Sequence, residues 1–141
     1  WTKLGFHSEG REFSREPIEV MLPWARHFGQ ALQLVNILRD LPEDLRAGRY
    51  YLPHTSSLEI GENMLVQHHR WLLQARHFLT DGMLYCEALR GRKLRAATVL
   101  PALLAEETID RLQIATWHQL EQRVKVPRST VFRCLAEAML F

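Results

Sequence analysis

A chain of 141 residues is one ordinary domain rather than two. Apolar residues at 47% and charged residues at 24% exclude the disordered, collagen-like and low-complexity classes. Eighteen Lys and Arg against sixteen Asp and Glu leave a net charge of +2, too small for composition alone to indicate a nucleic-acid or polybasic membrane binder.

Helical periodicity dominates, and no stretch alternates cleanly enough to predict a strand. Trp1–Arg15, interrupted by Gly5 and Gly10, reads as the end of one element followed by a loop. Ser14 ahead of Arg15, Glu16 and Pro17 predicts a helix start, with a capping hydroxyl, an acid in the first turn and an early proline. Apolar residues then recur through Val20, Met21, Trp24, Phe28, Ala31, Leu32, Val35 and Leu38. Pro23 is expected to bend this helix or split off a lead-in turn. Pro42 removes a backbone donor and disfavours helix at Leu41, so a break is expected there, with only a weak turn over Glu43–Arg46 before Gly48. Tyr50–Pro53 reads as an extended connector. Ser56 and Glu59 have capping-box spacing for a short helix ended by Gly61.

Asn63 to about Leu89 predicts a long amphipathic helix with Gly82 as its weak point. Lys93–Leu112 predicts another, kinked at Pro101. A helical stretch near Trp117–Arg123, a break at Pro127 and a last helix over Ser129–Leu140 complete an all-α class. The most apolar run, Ala96–Ala105, is about half the length of a membrane span. Cys86 and Cys134 are far apart, form no CxxC, and suit a reducing cytosol as buried small apolar residues. Residue 1 is Trp, without a starting Met or a signal-peptide pattern, so the chain reads as a piece of something longer.

The chemistry concentrates between Gly29 and Pro53. At about 100° per residue, Gly29, Gln33, Asn36, Asp40 and Asp44 share one narrow sector of a helix that is otherwise apolar around much of its girth. Asp40 and Asp44 lie one turn apart, roughly 6 Å along the axis if the helix survives Pro42, so something positive is expected between them. Carboxylate and amide oxygens without Cys or His form a hard-ligand set suited to Mg²⁺, which keeps waters and takes oxygens from a phosphate-bearing substrate. Arg39 and Arg49 add forked donors for phosphate oxygens. The plainer reading makes these acid–Arg pairs solvated surface salt bridges, worth about 0–1 kcal/mol. Two carboxamides among leucines argue against it.

The pattern Gln33-x-x-Asn36-x-x-Arg39-Asp40-x-x-Glu43-Asp44-x-x-x-Gly48-Arg49-x-Tyr51-x-Pro53 resembles the second aspartate-rich motif of squalene and phytoene synthases. Leu100-Pro101-Ala102 with Glu107-Thr108 resembles that family's late helix, and Arg123-Val124-Lys125-Val126 its terminal stretch. The resemblance covers nearly the whole chain and only the family's C-terminal half. It implies an isoprenoid-synthase-type helical bundle, here one half of it, and head-to-head condensation of two prenyl diphosphates (farnesyl or geranylgeranyl) through a cyclopropyl intermediate with loss of diphosphate. By match of position it makes Asn36, Asp40 and Asp44 the ligands of Mg²⁺ or Mn²⁺. Gln33 would face the reacting centre, while Arg39, Arg49 and Tyr51 hold or border the diphosphate. Lys125 falls where squalene synthases carry a basic residue associated with phosphate or NADPH, the latter relevant if squalene is the product. The resemblance also implies a cytoplasmic enzyme loosely associated with membranes and binding no nucleic acid. The family's first aspartate-rich motif is not in this sequence and would lie upstream of Trp1, so the chain is expected not to turn over alone. His118 stands near where some relatives carry a substrate-pocket tyrosine.

Other features read more plainly. His68 and His69 are adjacent on a helix and face about 100° apart, which suits packing or surface histidines rather than a chelating pair. Trp24, Phe28 and Phe78 read as core residues or cavity aromatics. Val126–Leu135 resembles a helix-turn-helix recognition segment, with Ser129 or Thr130 as cap and Arg123, Lys125, Arg128 and Arg133 for phosphates. That alternative, like a non-catalytic helical scaffold, stands beside the enzymatic reading.

Overall fold

The structure, a computed structural model, describes residues 1–52 and 62–141. Among the described residues the regular structure is helical: α1 (Thr2–Glu9), a 3-10 turn (Gly10–Glu12), α2 (Ile18–Arg46), α3 (Glu62–Ala88), α4 (Arg92–Ile114), α5 (Trp117–Glu121) and α6 (Arg128–Leu140). The capping box at Ser56 and Glu59 lies outside the described residues.

The start of α2 differs from the expectation. Its cap is Pro17, in extended conformation, whose carbonyl accepts from Val20 N (3.1 Å) and Met21 N (3.0 Å). Ser14 instead forms an isolated antiparallel bridge with Leu89. Its hydroxyl donates to the Ala88 carbonyl at 3.2 Å and accepts from Glu16 N at 3.1 Å. Arg15 N to Ala88 O (2.8 Å) and Arg90 N to Phe13 O (3.2 Å) complete a clip between the lead into α2 and the end of α3.

Neither Pro23 nor Pro42 divides α2, which runs unbroken for 29 residues. At Pro42 the reason is a repair from the neighbouring helix. A proline there leaves the carbonyl four residues back, Leu38 O, without its intrahelical donor. His68 of α3 sits 3.0 Å from that oxygen through Nε2. A carbonyl only accepts, so Nε2 carries the proton, and Nδ1 has no partner among the described residues. His68 is fully buried and its pKa falls to about 4, mainly through burial, so the ring is neutral near pH 7. Gly48, at φ 73°, lies just beyond the end of α2 in the left-handed region that glycine favours.

The stripe Met21, Phe28, Ala31, Val35, Leu38 and Leu41 buries one face of α2. Each large apolar side chain in such a core contributes about 1.5–3 kcal/mol relative to exposure. α3 lies antiparallel along this helix, as the pairs His27–Asp81, Phe28–Tyr85 and Leu38–His68 show. The approach is close at Gly82, where an added Cβ would come within 2.6 Å of the Phe28 ring. What reads as a weak point in the sequence is therefore the place where two helices meet. α4 closes the core from the other side with Val99, Leu103, Ile109 and Leu112. α6 is tied to α4 by Arg133, which pairs with Glu107. Cys86 and Cys134 are buried, and burial pushes the Cys86 thiol up to about 12.

The Pro42–His68 arrangement has a pH signature. Because the folded pKa of His68 is lowered, the unfolded chain takes up the proton first on acidification. Stability present above pH 6.5 should decline by about 3 kcal/mol as pH falls toward 4. His68→Phe should flatten that decline and, by orphaning Leu38 O, destabilise the fold by about 1–3 kcal/mol at neutral pH. Pro42→Ala restores the missing donor, so the penalty of His68→Phe should shrink in that background. Equal penalties in both backgrounds, measured by urea unfolding, would contradict the repair.

Candidate active site

The residues opposite the buried stripe of α2 form the candidate site. Gly29, Gln33 and Asn36 are exposed, and Asp40 and Asp44 are half-buried. The ribbon therefore lies on the face away from the core, with its carboxamides in solvent and its two carboxylates partly buried and paired with arginines. Because α2 continues through Pro42, Asp44 lies one turn beyond Asp40 on the same face.

Each acid has its own arginine partners, and among the described residues no cation lies between the two. Arg39 grips Asp40 with both prongs, Nε to Oδ1 at 3.0 Å and Nη2 to Oδ2 at 3.2 Å. Arg123 approaches the same carboxylate at 3.6 Å. Its backbone is left-handed at φ 63°, an unusual conformation for a residue with a Cβ. The hydrogen bond from Arg39, and then the two guanidinium charges, hold the Asp40 carboxyl below the usual carboxylate range despite partial burial. Arg49 takes Asp44 Oδ1 through Nε (3.1 Å) and Nη2 (2.9 Å). Asn36 makes no side-chain hydrogen bond among the described residues. Asn36, Asp40 and Asp44 thus present hard oxygens in one row, a donor set that fits Mg²⁺ or Mn²⁺ in kind. No cluster of three or more His, Cys, Asp or Glu side chains poised for a metal occurs among the described residues.

One flank of the ribbon opens into an apolar cavity of about 250 Å³. Gln30, Gln33, Leu34 and Ile37 of α2 face Trp71 and Phe78 of α3, with Tyr51 and Leu52 completing the lining. On the other side of Asp40 lies a basic hollow of about 440 Å³, lined by Arg39, Arg123 and Lys125 with Leu104, Thr108 and three valines. The structure therefore groups the expected site residues in three places. Gln33 and Tyr51 share the apolar cavity, Arg39 and Lys125 share the basic hollow, and Arg49 stands with Asp44. Arg123 as a partner of Asp40 was not singled out by its place in the terminal stretch. Nor was the Thr116–Gln119 capping box that starts α5, although its T-x-x-Q spacing is legible. His118 is 78% exposed and lines neither cavity.

The duplex-reading alternative for α6 gains no support. The helix is capped by Pro127 without a side-chain bond from Ser129 or Thr130. Arg133, on the helix itself, pairs with Glu107 and Glu137.

The two arginines on Asp40 should be separable by titration. Arg39→Gln is expected to raise the Asp40 pKa more than Arg123→Gln, because hydrogen bonding from Arg39 is the larger influence. Side-chain carboxyl NMR across pH 2–6 reads both shifts, and an unmoved Asp40 in Arg39→Gln would refute the pairing.

Comparison with known proteins adds the remaining findings. The squalene/phytoene synthase family model matches residues 4–130. Short stretches match presqualene diphosphate synthases. One from Sinorhizobium fredii is 59% identical over 32 residues, 23% of this chain and 12% of that protein. One from Rhodopseudomonas palustris is 51% identical over 37 residues, 26% and 13% of the two chains. One from Zymomonas mobilis is 66% identical over 29 residues, 21% and 10%. The matched stretches thus span only a small part of these relatives' length. No solved structure matches the chain. Among the described residues no helix is long and apolar enough to cross a membrane. With a family match over nine-tenths of its length, on an all-α framework, the chain belongs to the squalene/phytoene synthase family.

Proposed function

We propose that this chain is the C-terminal half of a head-to-head prenyl transferase and supplies the second of its two aspartate-rich arms. The full protein would join two prenyl diphosphates into a cyclopropyl diphosphate, expelling one diphosphate and one proton. The observation that carries this reading is the row Gln33, Asn36, Asp40 and Asp44 on one unbroken helix face, beside an apolar cavity and among three arginines. The name of the relatives, presqualene diphosphate synthase, points to the same reaction type.

Each part has a physical task. Asn36, Asp40 and Asp44 would hold Mg²⁺ or Mn²⁺, which supplies Lewis-acid stabilisation of the departing diphosphate. Asp40 is suited to this because its lowered pKa keeps it ionised. Arg39, Arg49 and Arg123 would exchange their carboxylate partners for diphosphate oxygens, with Tyr51 at the border and Lys125 in reach of the basic hollow. Gln33 at the cavity lip would face the reacting carbons. Trp71 lines the same cavity at the end nearer Asp40, where its aromatic face would attract an allylic cation, and the apolar lining as a whole would exclude water. In this reading the first aspartate-rich arm would come from another part of the full protein and close over the ribbon, so the 141-residue chain alone would not turn over. NADPH enters only if the product is reduced to squalene. The enzyme would work in the cytoplasm, at the membrane surface that would receive its long apolar product chains.

The test uses the full-length protein with farnesyl or geranylgeranyl diphosphate. Chelation should abolish turnover, and Mg²⁺ or Mn²⁺ should restore it. Asp40→Asn should lower kcat/KM by a factor of about 100 or more. Its helicity and melting temperature should hold, since the ion pairs it loses are partly exposed and worth about 0–1 kcal/mol. Retained turnover in Asp40→Asn would remove the metal-ligand assignment, and turnover by the 141-residue chain alone would remove the half-enzyme reading.

A further inference from the structure

The apolar cavity has two unlike ends. Because α2 and α3 are antiparallel, Ile37 faces Trp71 at one end and Gln30 faces Phe78 at the other. The Ile37 end adjoins the acidic ribbon, with Asp40 less than a turn further on. Behind Phe78 at the other end lies a contact that no other part of the site uses. His27, one turn before Gln30 on α2, stacks on the Phe78 ring at a centroid distance of 4.5 Å and an interplanar angle of 22°. His27 Nδ1 is 2.5 Å from Asp81 Oδ2. The carboxylate accepts, so Nδ1 donates, and Asp81 lies three residues beyond Phe78 on the same helix.

From this clamped stack, resting on the prenyl-transfer reading above, the geometry points to Phe78 as the end stop that sets the length of prenyl chain accepted, with His27 and Asp81 as its positioning residues. The ring cannot swing away from the cavity without parting from His27, and His27 cannot follow without breaking its bond to Asp81. A head group at Asp40 leaves about 15 Å of helix rise to Gln30, so a tail laid in the groove meets Phe78 as its terminal barrier. Hydrophobic pockets discriminate chain length at their far ends, where an added methylene must displace packed atoms. The unusual element is a polar latch holding an apolar wall. A His–Asp hydrogen bond between helices resists displacement by a flexible tail better than apolar contact alone, because breaking it leaves two partly buried polar groups unpaired.

The experiment gives the full-length enzyme equimolar farnesyl and geranylgeranyl diphosphates with Mg²⁺ and reads the ratio of product lengths by mass spectrometry. Phe78→Ala should shift that ratio toward the longer product by about tenfold, and Phe78→Trp should shift it the opposite way. His27→Ala and Asp81→Ala should move it in the Phe78→Ala direction by a smaller factor, since they loosen the ring without removing it. If Phe78→Ala fails to fold, Phe78→Leu keeps the packing and carries the same expectation. General damage would lower both products together and could not produce opposite shifts. An active wild type whose length ratio is unmoved in these variants would overturn the end-stop assignment alone. A wild type that consumes neither diphosphate would overturn the prenyl-transfer reading and this inference with it.

Discussion

The hydrogen bond from His68 to the Leu38 carbonyl is a small interaction on which the site depends. Proline at position 42 would ordinarily end α2 or bend it, because the missing donor leaves a buried carbonyl unsatisfied. The buried imidazole replaces that donor from the neighbouring helix. The helix then carries on to Arg46, and Asp44 keeps its place on the face that holds Asp40, Asn36 and Gln33. If the rod stopped at Leu41, the two acids would sit on separate segments with no defined spacing. A core hydrogen bond therefore determines the register of half-buried carboxylates on the opposite face.

Charge around those carboxylates is arranged as exchangeable pairs. Each acid is held by arginine rather than left bare, which prevents mutual repulsion and keeps the forked donors beside the place where an anion would arrive. Such partly exposed pairs contribute little to stability, so they can be traded for other partners at small energetic loss. The left-handed Arg123 belongs to this arrangement. Its conformation joins the end of α5 to the acidic ribbon, linking the late part of the chain to the middle of α2. The apolar cavity and the basic hollow lie on opposite flanks of the same acids, so one helix separates greasy volume from cationic volume.

The helix assignments were legible because periodicity and punctuation agree over most of the chain. α3, α4 and α6 begin and end within a few residues of where the apolar spacing and the break at Pro127 place them. The expectations at Pro42 and Ser14 fail for one shared reason. Both rest on local backbone chemistry, and in both places a distant partner changes the outcome: His68 satisfies the carbonyl freed by Pro42, and Ala88 and Leu89 draw Ser14 into a bridge. Gly82 illustrates the same limit, since a residue weak for helix propensity is the one that lets Phe28 approach.

The ribbon of amides and acids, its spacing and its family character were determined by the sequence by itself, because a helix of 3.6 residues per turn converts order into facing without reference to the rest of the fold. Whether that face is buried, which cation neutralises which acid, and where the apolar cavity ends were decided only by tertiary structure. Those properties depend on side chains separated along the chain, such as Arg123 against Asp40 and His27 against Asp81, and no local pattern encodes a meeting between them.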